Sequence, residues 1–204
     1  MGVYDAEGVL IMLRHFHRNA CCSLVLTTVV FISHGVVRAQ EPEHRLEIGG
    51  QITSIQFSGL GESGLGVGIR GAWRAFRWLA LETELNRVPE NPGGNFGQTL
   101  LASGVRLGLP IPPLELAVKV KPGGVHFGGR LFQSFNPQVR WKPALDVGSV
   151  LLFRPRRHVA VRVDVGDLLI FYGSSVVATP LQSPGQVLGT THNRQISVGI
   201  QLEL

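Results

Sequence analysis

The sequence predicts an all-β fold, an eight-stranded antiparallel up-and-down transmembrane β-barrel preceded by a cleavable signal peptide. Three observations support this prediction. Strand-length stretches in which every second residue is bulky and apolar recur from Leu46 to Leu204, turn-forming residues separate these stretches, and an apolar run precedes them near the N-terminus. We therefore expect two parts, a signal peptide at 1–39 and an outer-membrane β-barrel domain at 40–204.

The N-terminal segment has the layout of a secretory signal peptide. Arg14 and Arg18 precede an apolar run over residues 20–33, and a small-residue pattern ends at Ala39. This run is shorter than the roughly 20 residues that a membrane-spanning helix needs. We predict that cleavage after Ala39 leaves a mature chain that begins at Gln40.

Composition excludes several classes of function. Both cysteines, Cys21 and Cys22, lie in the predicted signal peptide, so the mature chain has no cysteine for a disulfide or a thiolate metal site. The formal net charge of +5 is modest, and the densest basic run, Arg154, Arg156 and Arg157, falls in a predicted turn. Nucleic-acid readers usually spread such charge over a helix or sheet face, so no nucleic-acid partner is expected. The histidines and carboxylates show no metal-ligand spacing, and no cofactor is expected.

Eight strands and no helix are predicted in the barrel domain. The predicted strands cover residues 45–57, 64–75, 78–88, 98–109, 114–126, 144–154, 158–171 and 193–204. Three connections are short, at 76–77, 110–113 and 155–157, and they alternate with four longer ones, at 58–63, 89–97, 127–143 and 172–192. Short periplasmic turns and longer outer loops are typical of outer-membrane barrels.

Alternation alone does not decide which face of the strands is inside the barrel. A secreted or periplasmic lipocalin-like barrel that binds a small apolar ligand would have the apolar face inside, whereas a membrane barrel would have it outside. In the stretch at 158–171, valines occupy one face, and Arg162 and Asp164 share the other face with alanine and glycine. Small residues beside long charged ones fit a narrow lumen. We therefore favour a barrel in the bacterial outer membrane.

The charged residues on the polar faces nearly balance, which predicts an ion-pair network that fills the lumen. Buried charges are tolerated when they are paired and hydrogen-bonded. The network is predicted to contain Arg70, Glu82, Glu84, Arg106, Glu115, Lys119, Asp146, Arg162 and Asp164. The same faces also carry Glu47, Arg74, Lys121 and Glu203. The opposite faces carry almost no charge, as expected where a charge at mid-depth in lipid costs about 2–4 kcal/mol.

Aromatic residues predict two interfacial girdles. The girdle near the short turns is predicted to contain Trp73, Phe76, Trp78 and Phe153. The girdle near the long loops is predicted to contain Phe57, Phe96, Phe127, Trp141, Phe171 and Tyr172.

The last strand carries a resemblance to a known family. Residues 191–204 place Ile196, Val198, Ile200, Leu202 and Leu204 on one face. This stretch resembles the closing strand of small bacterial outer-membrane β-barrel proteins of the OmpA and OmpX kind. The resemblance covers the whole mature chain. It implies a barrel whose C-terminal strand is recognised by the barrel assembly machinery and whose surroundings are outer-membrane lipid and lipopolysaccharide. We expect a monomer.

The sequence predicts a non-enzymatic protein with a structural or surface-interaction role through its extracellular loops. The connection at 127–143 combines aromatic and basic groups, which suit a phosphate-bearing glycolipid or an acidic partner. Its candidate residues are Arg130, Phe132, Phe135, Arg140, Trp141 and Lys142. A loop that only closes the barrel is the alternative. A lipid A-modifying barrel enzyme is less favoured, because neither His126 nor His192 lies in the His-x-Ser-Asn motif of lipid A deacylases.

Overall fold

Eight antiparallel strands form one closed barrel in the computed structural model, which describes residues 46–58, 62–90, 97–129, 140–179 and 182–204. The strands are β1 (Leu46–Phe57), β2 (Glu62–Phe76), β3 (Leu79–Val88), β4 (Gly97–Ile111), β5 (Leu114–Gly128), β6 (Trp141–Arg156), β7 (Val159–Thr179) and β8 (Gln182–Glu203). Each strand pairs with its neighbours in sequence, and β1 pairs with β8 to close the sheet. This confirms the predicted fold. The predicted signal peptide lies outside the described residues, which contain no helix long and apolar enough to cross a membrane.

Side chains alternate between a buried inward face and an exposed outward face, as the two-residue period of a strand requires. On β3, Glu82 and Glu84 are buried, whereas Leu81 and Leu85, which flank them, are exposed. The outward side chains form an apolar belt around the barrel. The most exposed members of this belt include Leu65, Val67, Ile69, Ile52, Ile200 and Leu204. The charged face is therefore inside and the apolar face outside, which excludes the lipocalin-like alternative.

Glycines on the inward faces let neighbouring strands approach closely. Gly148 on β6 lies opposite Gly166 on β7. A Cβ atom at Gly148 would lie 2.5 Å from the carbonyl oxygen of Val165 and 2.7 Å from Cα of Gly166. A side chain at either position would push the strands apart. The glycine pair therefore allows the wall to curve around a narrow lumen.

The last two strands are longer than predicted. The sequence predicts a loop at 172–192, but β7 continues to Thr179 and β8 begins at Gln182, so most of this segment is a hairpin beyond the barrel wall. The serine, glycine and proline residues in this segment predict a loop. The segment nevertheless pairs, because its two halves run antiparallel and join through a short connection. Gly173 and Gly189 face each other with φ of 64° and 62°, where the ladder changes register. Glycine adopts this left-handed conformation without the cost of a side chain, so the ladder bends there and continues.

The sixth strand begins earlier than predicted, at Trp141 rather than at residue 144. The sequence analysis assigned residues 127–143 to a connection that ends at Pro143, but Pro143 lies in register with Gly124 of β5. The pairing of β6 with β7 starts only at Ala144. Pro143 therefore has no described partner on the β7 side, so its missing N–H interrupts no described backbone pair between β6 and β7. As a result, Trp141 and Lys142 lie in a strand and not in a loop.

Candidate functional site

Fourteen charged side chains form an ion-pair network in the described lumen, and the two signs are equal in number. The cations are Arg70, Arg74, Arg106, Lys119, Lys121, Arg154 and Arg162. The carboxylates are Glu47, Glu82, Glu84, Glu115, Asp146, Asp164 and Glu203. All nine predicted network residues lie here. Arg154 also extends into the lumen, although the sequence analysis assigned it to a turn together with Arg156 and Arg157. It continues the inward alternation of Val150 and Leu152, and this alternation is visible in the sequence.

Near the short turns, Glu115 and Glu47 hold three arginines together. Nη1 of Arg106 lies 2.8 Å from Oε1 of Glu115, and Nη2 of Arg154 lies 2.6 Å from Oε2 of the same carboxylate. Nη1 of Arg74 lies 3.2 Å from that oxygen. Glu47 pairs with both Arg74 and Arg106. These five residues come from β1, β2, β4, β5 and β6, so the cluster connects most of the wall.

In the middle of the lumen, Arg162 binds two carboxylates. Its Nη2 donates to Oε2 of Glu82 at 3.0 Å while Nη1 donates to Oε1, and its Nε donates to Oδ2 of Asp164 at 2.9 Å. Nη1 of Arg70 lies 3.3 Å from the same oxygen of Asp164. The planar guanidinium matches this two-point geometry, which a lysine could not reproduce.

Two lysines on adjacent inward positions of β5 share one carboxylate. Nζ of Lys119 lies 2.7 Å from Oδ2 of Asp146, and Nζ of Lys121 lies 3.3 Å from the same oxygen. Lys121 also pairs with Glu84 of β3. Because Asp146 lies between the two ammonium groups, it offsets their mutual repulsion in a site without solvent.

Toward the long loops an apolar cluster lies in the interior, beside buried polar side chains such as Gln98 and Asn193, and the sequence analysis did not predict this cluster. Phe127 and Tyr172 stack with ring centroids 5.8 Å apart. They belong to an apolar cap that also contains Ile55, Phe57, Val88, Leu100, Ala102, Val125, Ala144, Leu168 and Ile170. Leu100, Phe127 and Ile170 in the cap are 0% exposed, and Arg106 and Lys121 below it are at most 1% exposed. A continuous water path would expose these side chains, so the described interior is closed.

The apolar cap corrects the predicted outer aromatic girdle. Phe57, Phe127 and Tyr172 are buried inside the barrel, so their assignment to that girdle is wrong. Each of them continues the inward alternation of its strand, which determines its side. Trp141 and Phe171 do face outward, and Phe96 lies outside the described residues. At the turn end, Trp73, Phe76, Trp78 and Phe153 are all exposed.

The candidate loop residues fall into two groups. Outside the described residues lie Arg130, Phe132 and Phe135. The backbone oxygen of Arg140 accepts a hydrogen bond from the backbone N–H of Phe127 at 3.0 Å. Trp141 is exposed and lies edge-on to His126, with ring centroids 5.1 Å apart. Lys142 donates to the hydroxyl of Ser175 at 2.5 Å, so it ties β6 to the β7–β8 hairpin.

Polar side chains also mark the upper limit of the apolar belt. Arg87 on β3 donates to the hydroxyl of Thr99 at 3.3 Å. Across the barrel, Nδ1 of His192 lies 2.6 Å from Oδ2 of Asp167. The sequence analysis did not predict the contact between Asp167 and His192. The signal that could have indicated it is that these two polar residues interrupt the apolar outward face of β7 and β8. The described residues include no group of three or more His, Cys, Asp or Glu placed to hold a metal ion.

Comparison with known proteins yields structural similarity only. No family model and no curated protein match the chain. Its structure is similar to that of Neisserial surface protein A, with a TM-score of 0.54 and 12% identity over 78% of this chain and 96% of that one. Ail of Yersinia pestis gives a TM-score of 0.45 and 12% identity over 81% of this chain and 100% of that one. OprG from Pseudomonas aeruginosa gives a TM-score of 0.46 and 10% identity over 79% of this chain and 96% of that one. The similarity to Neisserial surface protein A therefore shows that the chain has the fold of a small bacterial outer-membrane β-barrel, and its belt of exposed apolar side chains suits contact with a lipid bilayer.

Proposed function

We propose that this protein is a non-enzymatic barrel with a structural or surface-interaction role, and that it acts through its outer end. The filled interior carries this proposal. Ion pairs occupy the lower and middle lumen, and the apolar cap closes it toward the long loops. An eight-stranded barrel encloses only enough space for its own side chains, so passage of solutes is not its role.

We infer that the partner at the outer end is a phosphate-bearing glycolipid, namely lipopolysaccharide. Trp141 is 58% exposed beside His126, at the height where the apolar belt ends. Amphipathic aromatic rings suit this boundary between acyl chains and head groups. Arg140 precedes Trp141 in sequence, and guanidinium groups bind phosphate in a two-point geometry.

The closed sheet supports two further proposals, on assembly and on oligomeric state. We propose that the barrel assembly machinery recognises β8, whose outward face carries Ile196, Val198, Ile200 and Leu202. We also propose a monomer, because closure of β1 on β8 leaves no free strand edge along the described barrel wall to template pairing with a second chain.

The proposed function is tested by reconstitution. The wild type and a variant that lacks residues 130–139 and carries R140Q and W141A are folded into bilayers, and conductance, acyl release from lipid A and lipopolysaccharide binding are measured. We expect no stable channel, no acyl release, and binding that weakens in the deletion variant. Stable large-conductance channels or acyl release by the wild type would contradict the proposal. Unchanged lipopolysaccharide binding in the deletion variant would contradict a binding role for the 127–143 connection and would favour a loop that only closes the barrel.

A further inference from the structure

A compact group of polar side chains interrupts the outward apolar face where β7, β8 and β1 meet. This patch, which we name the seam patch, consists of Asp167, His192, Arg194, Gln56 and Ser58. All of its members except the half-buried Asp167 are exposed. On β7 and β8, the next outward residues toward the turns, Val165 and Ile196, are exposed and apolar. The seam patch therefore lies directly above the part of the wall that contacts acyl chains.

The strand register brings these side chains together. Arg194 lies opposite Asp167 on one side and opposite Gln56 on the other. His192 is two residues from Arg194 on the same face of β8, and Ser58 donates from its hydroxyl to the backbone oxygen of His192 at 2.7 Å. Neighbouring strands lie about 4.8 Å apart, and same-face neighbours along a strand lie about 7 Å apart. The polar groups therefore fit around one small ligand group.

Asp167 orients the imidazole of His192. Its Oδ2 lies 2.6 Å from Nδ1, while the histidine side chain is 71% exposed. The carboxylate contacts one ring nitrogen, so Nε2 is directed away from it. When the ring is protonated, Nε2–H is a charged donor fixed on the barrel surface beside the guanidinium of Arg194. When the ring is protonated, Arg194 and His192 together outnumber the one carboxylate, so the seam patch then carries a net positive charge.

We propose that the seam patch binds a phosphate group of a membrane glycolipid in the outer leaflet. Arg194 and the protonated His192 supply charged donors, and Gln56 supplies uncharged ones. Ser58 and Asp167 are positioning residues, because the Ser58 hydroxyl donates to the backbone oxygen of His192 and Asp167 contacts its ring. The patch faces the lipid and lies above Val165 and Ile196 and below the outward ring of Phe171, which is the height of a lipid head group and not of a loop tip. This inference rests on the proposed glycolipid partner and assigns its phosphate to a specific site.

The test uses folded full-length mature protein in detergent and fluorescent lipid A as the probe. Wild type is compared with H192Q/R194Q, in which both charges are lost and side-chain polarity is kept. Charge-assisted hydrogen bonds are about twice as strong as neutral ones, so the double variant should bind lipid A at least about tenfold more weakly. R87Q is the matched control, because Arg87 is an outward cation at the same boundary but on the opposite side of the barrel. Its affinity should stay within about twofold of wild type.

Two further arms separate the possible ligands. Dephosphorylated lipid A should bind wild type and H192Q/R194Q equally weakly. If inorganic phosphate displaces lipid A completely at low millimolar concentration, the ligand is free phosphate, and the proposal of a lipid ligand is wrong. Mobility on unboiled gels shows that each variant is folded. Acyl release by wild type that is lost in Ser58→Ala would overturn passive binding and make the patch a hydrolase.

Failure of the site and failure of the proposed function give different results. If wild type binds lipid A and H192Q/R194Q binds it equally well, the seam patch is not the site, although the proposed function stands. If wild type binds neither form of lipid A, both proposals fail.

Discussion

Arg162 on β7 reaches across the lumen to Glu82 on β3, and the two side chains form a two-point ion pair with Nη2 and Oε2 3.0 Å apart. Eighty residues separate them in sequence, and both are at most 1% exposed. β3 and β7 are not neighbours in the sheet, so this pair braces opposite walls of the barrel. Glu82 also lies 2.8 Å from Nε of Arg106. One carboxylate thus contacts two guanidinium groups that have no access to bulk water, and Asp164, Glu47 and Glu115 supply the remaining negative charge.

Removal of that carboxylate charge should destabilise the barrel. In Glu82→Gln, Arg162 and Arg106 lose their shared partner, and breaking a buried pair from one side costs about 3–5 kcal/mol. Urea unfolding in phospholipid vesicles, followed by tryptophan fluorescence, measures the change. The matched control is E82Q/R162M, which removes both charges and should be less destabilised than the sum of its single variants. An E82Q protein as stable as wild type would contradict the bracing role.

A charge on the outward face should impair membrane insertion. Val161 is exposed on β7 beside the inward Arg162. If it contacts lipid, Val161→Arg should cost about 2–4 kcal/mol at mid-depth. Val161→Leu, which keeps the face apolar, should insert like wild type. The fraction folded into vesicles, read from the mobility of unboiled samples, gives the comparison. Equal folding of the arginine variant would place this face in water.

Tight strand contact should make Gly148 intolerant of a side chain. The Cβ of Gly148→Ala would lie 2.5 Å from the carbonyl oxygen of Val165, so the backbone must move, and we expect a loss of about 1–3 kcal/mol. Gly71→Ala is the control, since nothing lies within 4 Å of a Cβ at that position. It should change stability by less than about 0.5 kcal/mol. Urea unfolding distinguishes the two variants, and equal stabilities would refute close strand approach as the reason for Gly148.

The apolar cap should contribute stability and not act as the only seal. Phe127→Ala leaves a void in the cap and should destabilise by about 3–5 kcal/mol. It should still form no stable channel in planar bilayers, because the ion pairs of Arg162 and Lys121 fill the lumen below. Phe171→Ala, at an outward position beside the buried Tyr172, should lose less stability. Steady conductance in the Phe127 variant would show that the ion-pair layer does not close the lumen.

Much of the candidate interior could be predicted from the sequence because alternation assigns every strand residue to one of two faces. Arg162 and Asp164 are separated from the valines beside them by this rule alone. Which face is inside needed a second argument, from the glycine and alanine that accompany the charges. The same rule also applies to Phe57, Phe127 and Tyr172, and the girdle assignment was wrong because their aromatic character was given more weight than their position in the alternation.

Local sequence determined the number of strands, the alternation of their two faces and most members of the ion-pair network, because these properties depend on a two-residue period and on side-chain size and charge. Only the tertiary structure decided which charges meet. Glu82 contacts Arg162 because barrel closure brings β3 opposite β7, and Asp167 contacts His192 because the register of β7 on β8 places them on one surface. Such contacts depend on closure and on strand stagger, which are properties of the whole sheet and leave no mark at a single position.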